Sequence, residues 1–482
     1  MRFIYLAIIL NLLALQGCAT NPVTGEQDFV LISESEEISL GQKYHQQIIQ
    51  EMPVYQAPEL AAYVSEVGQR VARVSHRPEL NYKFTVLDDP MVNAFALPGG
   101  YIYITRGILA YLNSEAELAA VLGHEVGHVT ARHSVRQQSA STATSIAGAV
   151  LSATTGVPGT EDVFNVFGKA LLSGYGRGHE LESDRLGAQY LARSGYNPQA
   201  MLEVIGVLKN QELFERQRAR AEGREPRAYH GVFASHPDND RRLQEVVSEA
   251  DHLKTTGTPR TGRKQFLAHL EGLSFGQSEN DGVVDGNNFY HKPLNIGFRF
   301  AKGWSIDNQP DRLLASAPNQ AAIMEVRVAT LKNRIPPRQY LEQYLGDKFQ
   351  IGEKLDVKGF EAYTATAPIN TNFGKRRARV SVVYDGNHAY LFTGISRQTS
   401  NYRLFDGIFK DVARSFHKLS AREKKLATGL KLHLIKAGPT TTFAALARKS
   451  PIPKYPETEL RLLNDLYPDG EPKPGQTLKV VR

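Results

Sequence analysis

Leu60, Val64, Val67, Val71 and Val74 recur every three or four residues, the interval that gathers side chains on one helix face, and predict a helix from about Pro58 to Val74. Ahead of it, Ser33 and Glu36 form a capping-box pair that opens a second helix running to about Met52. Asn81 to Leu87 reads as a strand, and Ala94 to Thr105 as a hairpin turned at Gly99-Gly100. Residues 114 to 133 then form the helix around which the chain is organised, with Ser114 and Glu117 as its start signal. Its flank of Ala119, Ala120, Val121, Leu122, Gly123 and Val126 predicts burial on most sides. A further helix covers 178 to 195 and closes at Gly195.

After residue 263 the pattern changes to period two. Phe298 to Ile306 and Ala322 to Thr330 read as strands, and residues 378 to 393 as a hairpin with an Asp385-Gly386 turn. A helix at 402 to 419 carries Phe405, Ile408, Phe409, Val412 and Phe416 on one stripe, and Trp304 reads as a core residue. From 429 to 482 the order is strand, helix, helix, strand. Two stretches break the pattern. Residues 134 to 178, rich in Ser, Ala, Thr and Gly, are either a helical lid over a site or a structureless connection, and Thr255 to Arg263 is a linker by composition. The expected class is α+β: a mainly helical domain with a small sheet at 34–255, a small α+β domain at 264–420, and a βααβ tail.

A length of 482 residues exceeds one ordinary core, and 41% hydrophobic with 22% charged residues is a globular balance. The apolar run Phe3 to Leu15 is shorter than the roughly 20 residues of a spanning helix and reads as a signal peptide over 1–17. It ends in Leu15-Gln16-Gly17-Cys18, which resembles a bacterial lipobox. Cys18, the only cysteine, would be lipidated there, with 18–33 as a tether. With Ala19 rather than Asp after the cysteine, the resemblance to lipoprotein sorting signals implies the outer membrane of a Gram-negative envelope. The net charge of +7 is scattered, which gives no case for nucleic acid.

The chemistry sits on the organising helix. His124 and His128 lie one turn apart on one face, so two imidazoles can reach one ion, while Glu125 points about 100° away. That H-E-x-x-H spacing is the geometry of zinc-binding peptidase helices, with the carboxylate placed to move a proton from water to a leaving amine. Catalytic zinc needs a third protein ligand, and Glu180 on the 178–195 helix fits. Asp184 shares its face and can orient a ligating histidine, whereas Glu182 points elsewhere. The strand delivered just before the metal helix either presents an extended peptide from a sheet edge or is a plain core strand.

Asn93-Ala-Phe-Ala-Leu-Pro-Gly-Gly100, the His124-Glu125-x-x-His128 helix, Glu180-x-x-x-Asp184, and Ser235-His236-Pro237 with Arg242 resemble the gluzincin peptidases of the HtpX, BepA and CAAX prenyl endopeptidase family over about residues 20 to 250. The resemblance implies one Zn2+ held by His124, His128 and Glu180, with Glu125 as general base. It also implies that His236 approaches the metal, either filling the open position as a latent ligand or stabilising the oxyanion, with Arg242 among the site residues; the alternative is a loop histidine hydrogen-bonded near Arg242 with no part in the mechanism. Asn21-Pro-Val-Thr-Gly25 directly after Cys18 looks like the envelope lipoprotein branch, which handles misfolded or misassembled outer-membrane proteins in the periplasm. No 34-residue period follows residue 258, so the tetratricopeptide platform of BepA-like members is not inherited. The tail, through Lys436 to Ala447, Leu462 to Asn464 and Pro474 to Leu478, resembles a LysM module, either a peptidoglycan binder or a packing element. The expectation is a zinc metalloendopeptidase acting on envelope protein substrates; the alternative is a proteolytically weak chaperone or scaffold.

Overall fold

The structure, a computed structural model, describes residues 18–140, 142, 176–222, 226, 253, 258–309 and 312–482. The leader at 1–17, most of the 134–178 segment, and His236 and Arg242 lie outside the described residues. No helix among those described is long and apolar enough to cross a membrane. Contacts divide the chain into two compact units, one of residues up to Phe275 together with Lys431–Arg482, the other Gly276–Leu430.

The first unit begins with a short hairpin, β1 (Cys18–Thr20) and β2 (Gln27–Phe29), closed around buried Asn21, whose side chain accepts from the Val23 and Thr24 amides and donates to Asp28. Helix α1 (Glu34–Glu51) starts at the expected Ser33–Glu36 capping box. Helix α2 (Pro58–Ala72) buries the expected stripe of Leu60, Val64, Val67 and Val71. The small sheet has the order β3 (Lys83–Leu87), β5 (Tyr101–Thr105), β4 (Ala94–Leu97). β5 pairs in parallel with β3 and antiparallel with β4, so the strand next to the metal helix in sequence is central and its hairpin partner β4 is at the edge. A turn through Gly99 (φ 76°) and Gly100 (φ 92°) makes that hairpin, at values a side chain would resist.

Helix α3 (Arg106–Tyr111) leads into α4 (Glu115–Thr130), all of whose residues are buried. Ser114 caps α4 by accepting from the Glu117 amide, but the Glu117 carboxylate reaches the Asn113 amide and the Ser114 hydroxyl. Helices α5 (Arg177–Arg193) and α6 (Ala200–Ala221) pack against it. The α4–α5 contact is close because it is made by glycines. A Cβ on Gly127 would lie 3.0 Å from the Ser183 carbonyl, and one on Gly187 would lie 3.1 Å from the His124 amide. That proximity brings the two halves of the candidate site together.

The described part of the expected linker is pinned rather than free. Arg260 reaches Glu115, its amide donates to the Gly195 carbonyl, and the Ala116 amide donates to Thr261. The helix Arg263–His269 also belongs to this unit, with Phe266 and Leu267 buried and His269 stacked on Tyr63. The tail keeps the expected order: strand Gly429–Lys436, helices Phe443–Ala447 and Pro456–Leu463, strand Thr477–Val481, the two strands antiparallel. Its residues from Lys431 cluster with the first unit rather than standing apart. Lys479, fully buried, extends its ammonium to the carbonyls of Ala110 and Leu112 at 2.6 Å each, and Tyr111 bonds Glu459.

The second unit is a seven-stranded antiparallel sheet covered on both faces and a four-stranded sheet beside it. The helix Tyr402–Arg414 packs Phe405 and Phe409 with Trp304, Phe298 and Phe392 on one side of the large sheet; Leu341 of the helix Pro337–Leu345 packs with Val380, Val382 and Leu391 on the other. The 402–419 helix ends early, at Arg414, because the chain turns into the short strand His417–Lys418. The expected strand from Phe298 to Ile306 is two strands, Ile296–Arg299 and Ser305–Gln309, separated by a turn at Gly303 (φ 82°).

Candidate metal centre

Both ends of α4 are held by buried charge. At its start Glu115 accepts from Tyr63 (2.7 Å), Tyr196 (2.6 Å), Arg70 (3.0 Å) and Arg260 (2.9 Å), an acidic group at a helix N-terminus where the backbone dipole favours it. Burial would raise this carboxyl, but the bonds from Tyr196 and Tyr63 and the Arg260 charge outweigh it and hold it low. Past its end, Arg132 (φ 55°) donates to the Glu37 carboxylate at 2.8 Å, and Arg77 meets the same carboxylate at 2.9 Å. The helix is therefore a fixed platform.

On it His124 and His128 direct their Nε2 atoms to one point, 3.0 Å apart. Glu180, wholly buried on α5, faces both, with one oxygen 3.5 Å from His124 Nε2 and the other 3.4 Å from His128 Nε2. These three side chains are the one group among the described residues whose donor atoms could hold a metal ion. Zinc bonds of about 2.0–2.1 Å in a tetrahedron set neighbouring donors about 3.3 Å apart, close to all three observed separations. Two imidazoles and a carboxylate, buried together, fit zinc. Glu125, next to His124, is 2% exposed.

The other ring nitrogen of each histidine is also engaged. His124 Nδ1 lies 2.8 Å from the Asp184 carboxylate, the orienting contact expected from the spacing of Glu180 and Asp184. Burial pushes the His124 ring down, but Asp184 and Glu180 outweigh it and its pKa stands at about 9. His128 Nδ1 lies 2.8 Å from Nδ1 of His133, a residue that sequence reasoning gave no role. His133 is buried; its Nε2 is 3.0 Å from Glu182, which also accepts from Arg136 at 3.2 Å. Burial raises the Glu182 carboxyl, but His133 and Arg136 more than reverse this and bring it to about 2. Glu182 thus points away from the metal donors as expected, and toward their support rather than toward solvent. The available signal was a histidine five residues after His128, an interval that helical periodicity does not bring to the same face. The left-handed Arg132 turns the chain and makes the contact possible.

Edge strand β4 packs against α4. It is the outermost strand on that side of the three-stranded sheet.

Residues 58–250 match peptidase family M48. Over 270 residues the chain is 29% identical to the beta-barrel assembly-enhancing protease of Yersinia pestis, covering 54% of this chain and 53% of that one. It is 28% identical over 277 residues to the protein of the same name in Escherichia coli K12 (52% and 54%). It is also 31% identical over 231 residues to the mitochondrial metalloendopeptidase OMA1 of Schizosaccharomyces pombe (47% and 64%). The chain spans about half the length of the first two of these curated relatives. The buried pair of histidines, the facing glutamate and the aspartate beside His124 all fall inside the stretch, residues 58–250, that matches peptidase family M48.

Proposed function

We propose that this protein is a zinc-dependent endopeptidase of the bacterial envelope, which hydrolyses misfolded or misassembled periplasmic and outer-membrane proteins. The observation that carries this reading is the convergence of His124, His128 and Glu180 within 4.8 Å inside the protein, with Glu125 one residue away. The names of the bacterial relatives, beta-barrel assembly-enhancing proteases, support the substrate class. Bound zinc would supply Lewis acidity toward a peptide carbonyl and an acidified water. Glu125 takes up the proton and returns it to the departing amine. Asp184 fixes the His124 ring through Nδ1, and β4 pairs with the substrate in extended form. His236 and Arg242 would act at the metal site, His236 as a latent ligand that keeps the enzyme inactive in the absence of substrate. Cys18 carries the lipid that holds the protein at the outer membrane, and the LysM-like tail gives weak affinity for peptidoglycan.

The test is cleavage of a purified unfolded β-barrel protein. Glu125→Gln should retain zinc and lose cleavage by 10²-fold or more, and chelation should abolish it in the unaltered protein. Substrate bound and protected by the unaltered protein without cleavage would favour the scaffold. Cys18→Ser should move the protein from membranes to the soluble fraction or leave an unprocessed precursor.

A further inference from the structure

We infer that His133 is a positioning residue for the metal site: with Glu182 and Arg136 it forms a hydrogen-bonded chain that fixes the tautomer of His128 and so presents its Nε2 lone pair to the ion. This rests on His124, His128 and Glu180 holding zinc.

The hydrogen bonds along this chain fix where each proton sits. A carboxylate held by a guanidinium only accepts, so Glu182, paired with Arg136 at 3.2 Å, requires a proton on the His133 Nε2 that lies 3.0 Å away. In a neutral imidazole the other nitrogen is then an acceptor. His133 Nδ1 therefore receives a proton from His128 Nδ1 at 2.8 Å, and His128 keeps its lone pair on Nε2. That nitrogen faces Glu180 and His124 Nε2. Each link admits one proton, and the order of the whole chain is set from its far end.

The two ligating histidines are thus held by different means. His124 meets a carboxylate directly, through Asp184. His128 reaches one only through a second imidazole. The surroundings keep that imidazole in place: the Ser183 hydroxyl is 3.3 Å from His133 Nδ1, and the His179 ring stacks on it with centroids 4.2 Å apart. Arg136 also lies 3.4 Å from Asp28, in the hairpin that begins at Cys18, so the chain of contacts extends from the N-terminal hairpin to the metal donors.

Partners that orient metal-binding histidines govern metal affinity, and their loss weakens it by about 10- to 100-fold. The experiment measures zinc affinity of the full-length protein against a chromophoric chelator. His133→Phe keeps the ring and removes the acceptor; His133→Asn restores an acceptor at the Nδ1 position and a donor beside it. The expected result is zinc binding about 10- to 100-fold weaker in the Phe variant and within a few-fold of the unaltered protein in the Asn variant. Equal affinity in the Phe variant would overturn the assignment. So would an equal loss in both, since that would make His133 a matter of shape alone. If the unaltered protein itself takes up no zinc, the metal reading fails and this inference with it.

Discussion

Lys479 offers a quantitative test of how the tail supports the unit that carries the metal helix. Its ammonium is wholly buried and donates to the Ala110 and Leu112 carbonyls, just before the metal helix. Burial pushes its pKa from 10.5 down to about 7, against the opposing pull of the Glu117 carboxylate. Lys479→Met removes the donor and leaves two buried carbonyls without it, at about 1–3 kcal/mol each. The pH dependence identifies the cause. Above pH 7 the folded chain has released a proton that the unfolded chain keeps until about pH 10.5, so this group makes stability rise with pH, by up to about 1.4 kcal/mol per pH unit. Glu117, which burial raises to about 7, rises further once the lysine is gone and acts in the same direction, destabilising the variant as pH increases. Urea unfolding of both proteins at pH 7 and pH 9 should therefore show the variant less stable, with the gap wider at pH 9. Parallel pH dependence of the two proteins would refute the buried-lysine account.

Glu180→Gln should lose most bound zinc, measured as metal per chain after dialysis, whereas Glu182→Gln should lose far less, because its amide oxygen can still accept from His133. Gly127→Val should push α5 away at the 3.0 Å contact with Ser183, lowering stability by about 1–3 kcal/mol in denaturant and weakening zinc binding as well. His236→Ala should raise basal cleavage of an unfolded envelope protein; a loss of about 10²-fold would instead make it an oxyanion donor, and no change would remove it from the mechanism.

What the sequence disclosed follows from range. His124 and His128, and likewise Glu180 and Asp184, are one turn apart on single helices, so local geometry placed each pair, and the chemistry of zinc joined the two pairs. Ser33–Glu36 and the Gly99–Gly100 turn are equally local. Edge status was not: whether β4 or β5 lies outermost depends on β3, which arrives from another part of the chain. The role of His133 depends on a left-handed Arg132, stabilised by Glu37 some hundred residues earlier, so no window of sequence contains its cause. The Lys479 contact spans still more. In period-two patterning Lys479 is an ordinary strand residue, and only the fold shows that its ammonium is the partner of two carbonyls near residue 111.

That last contact also orders events in time. Residues 110–112 leave the ribosome well before residue 479, and the whole of 276–430 is made between them. At about 5–20 residues per second, the segment from 275 to 479 takes on the order of 10 to 40 s to synthesise. Throughout that interval the start of the metal helix lacks its lysine clamp. A nascent chain therefore carries the metal-binding residues without the finished unit that holds them, and a product cut short in the second unit never acquires it.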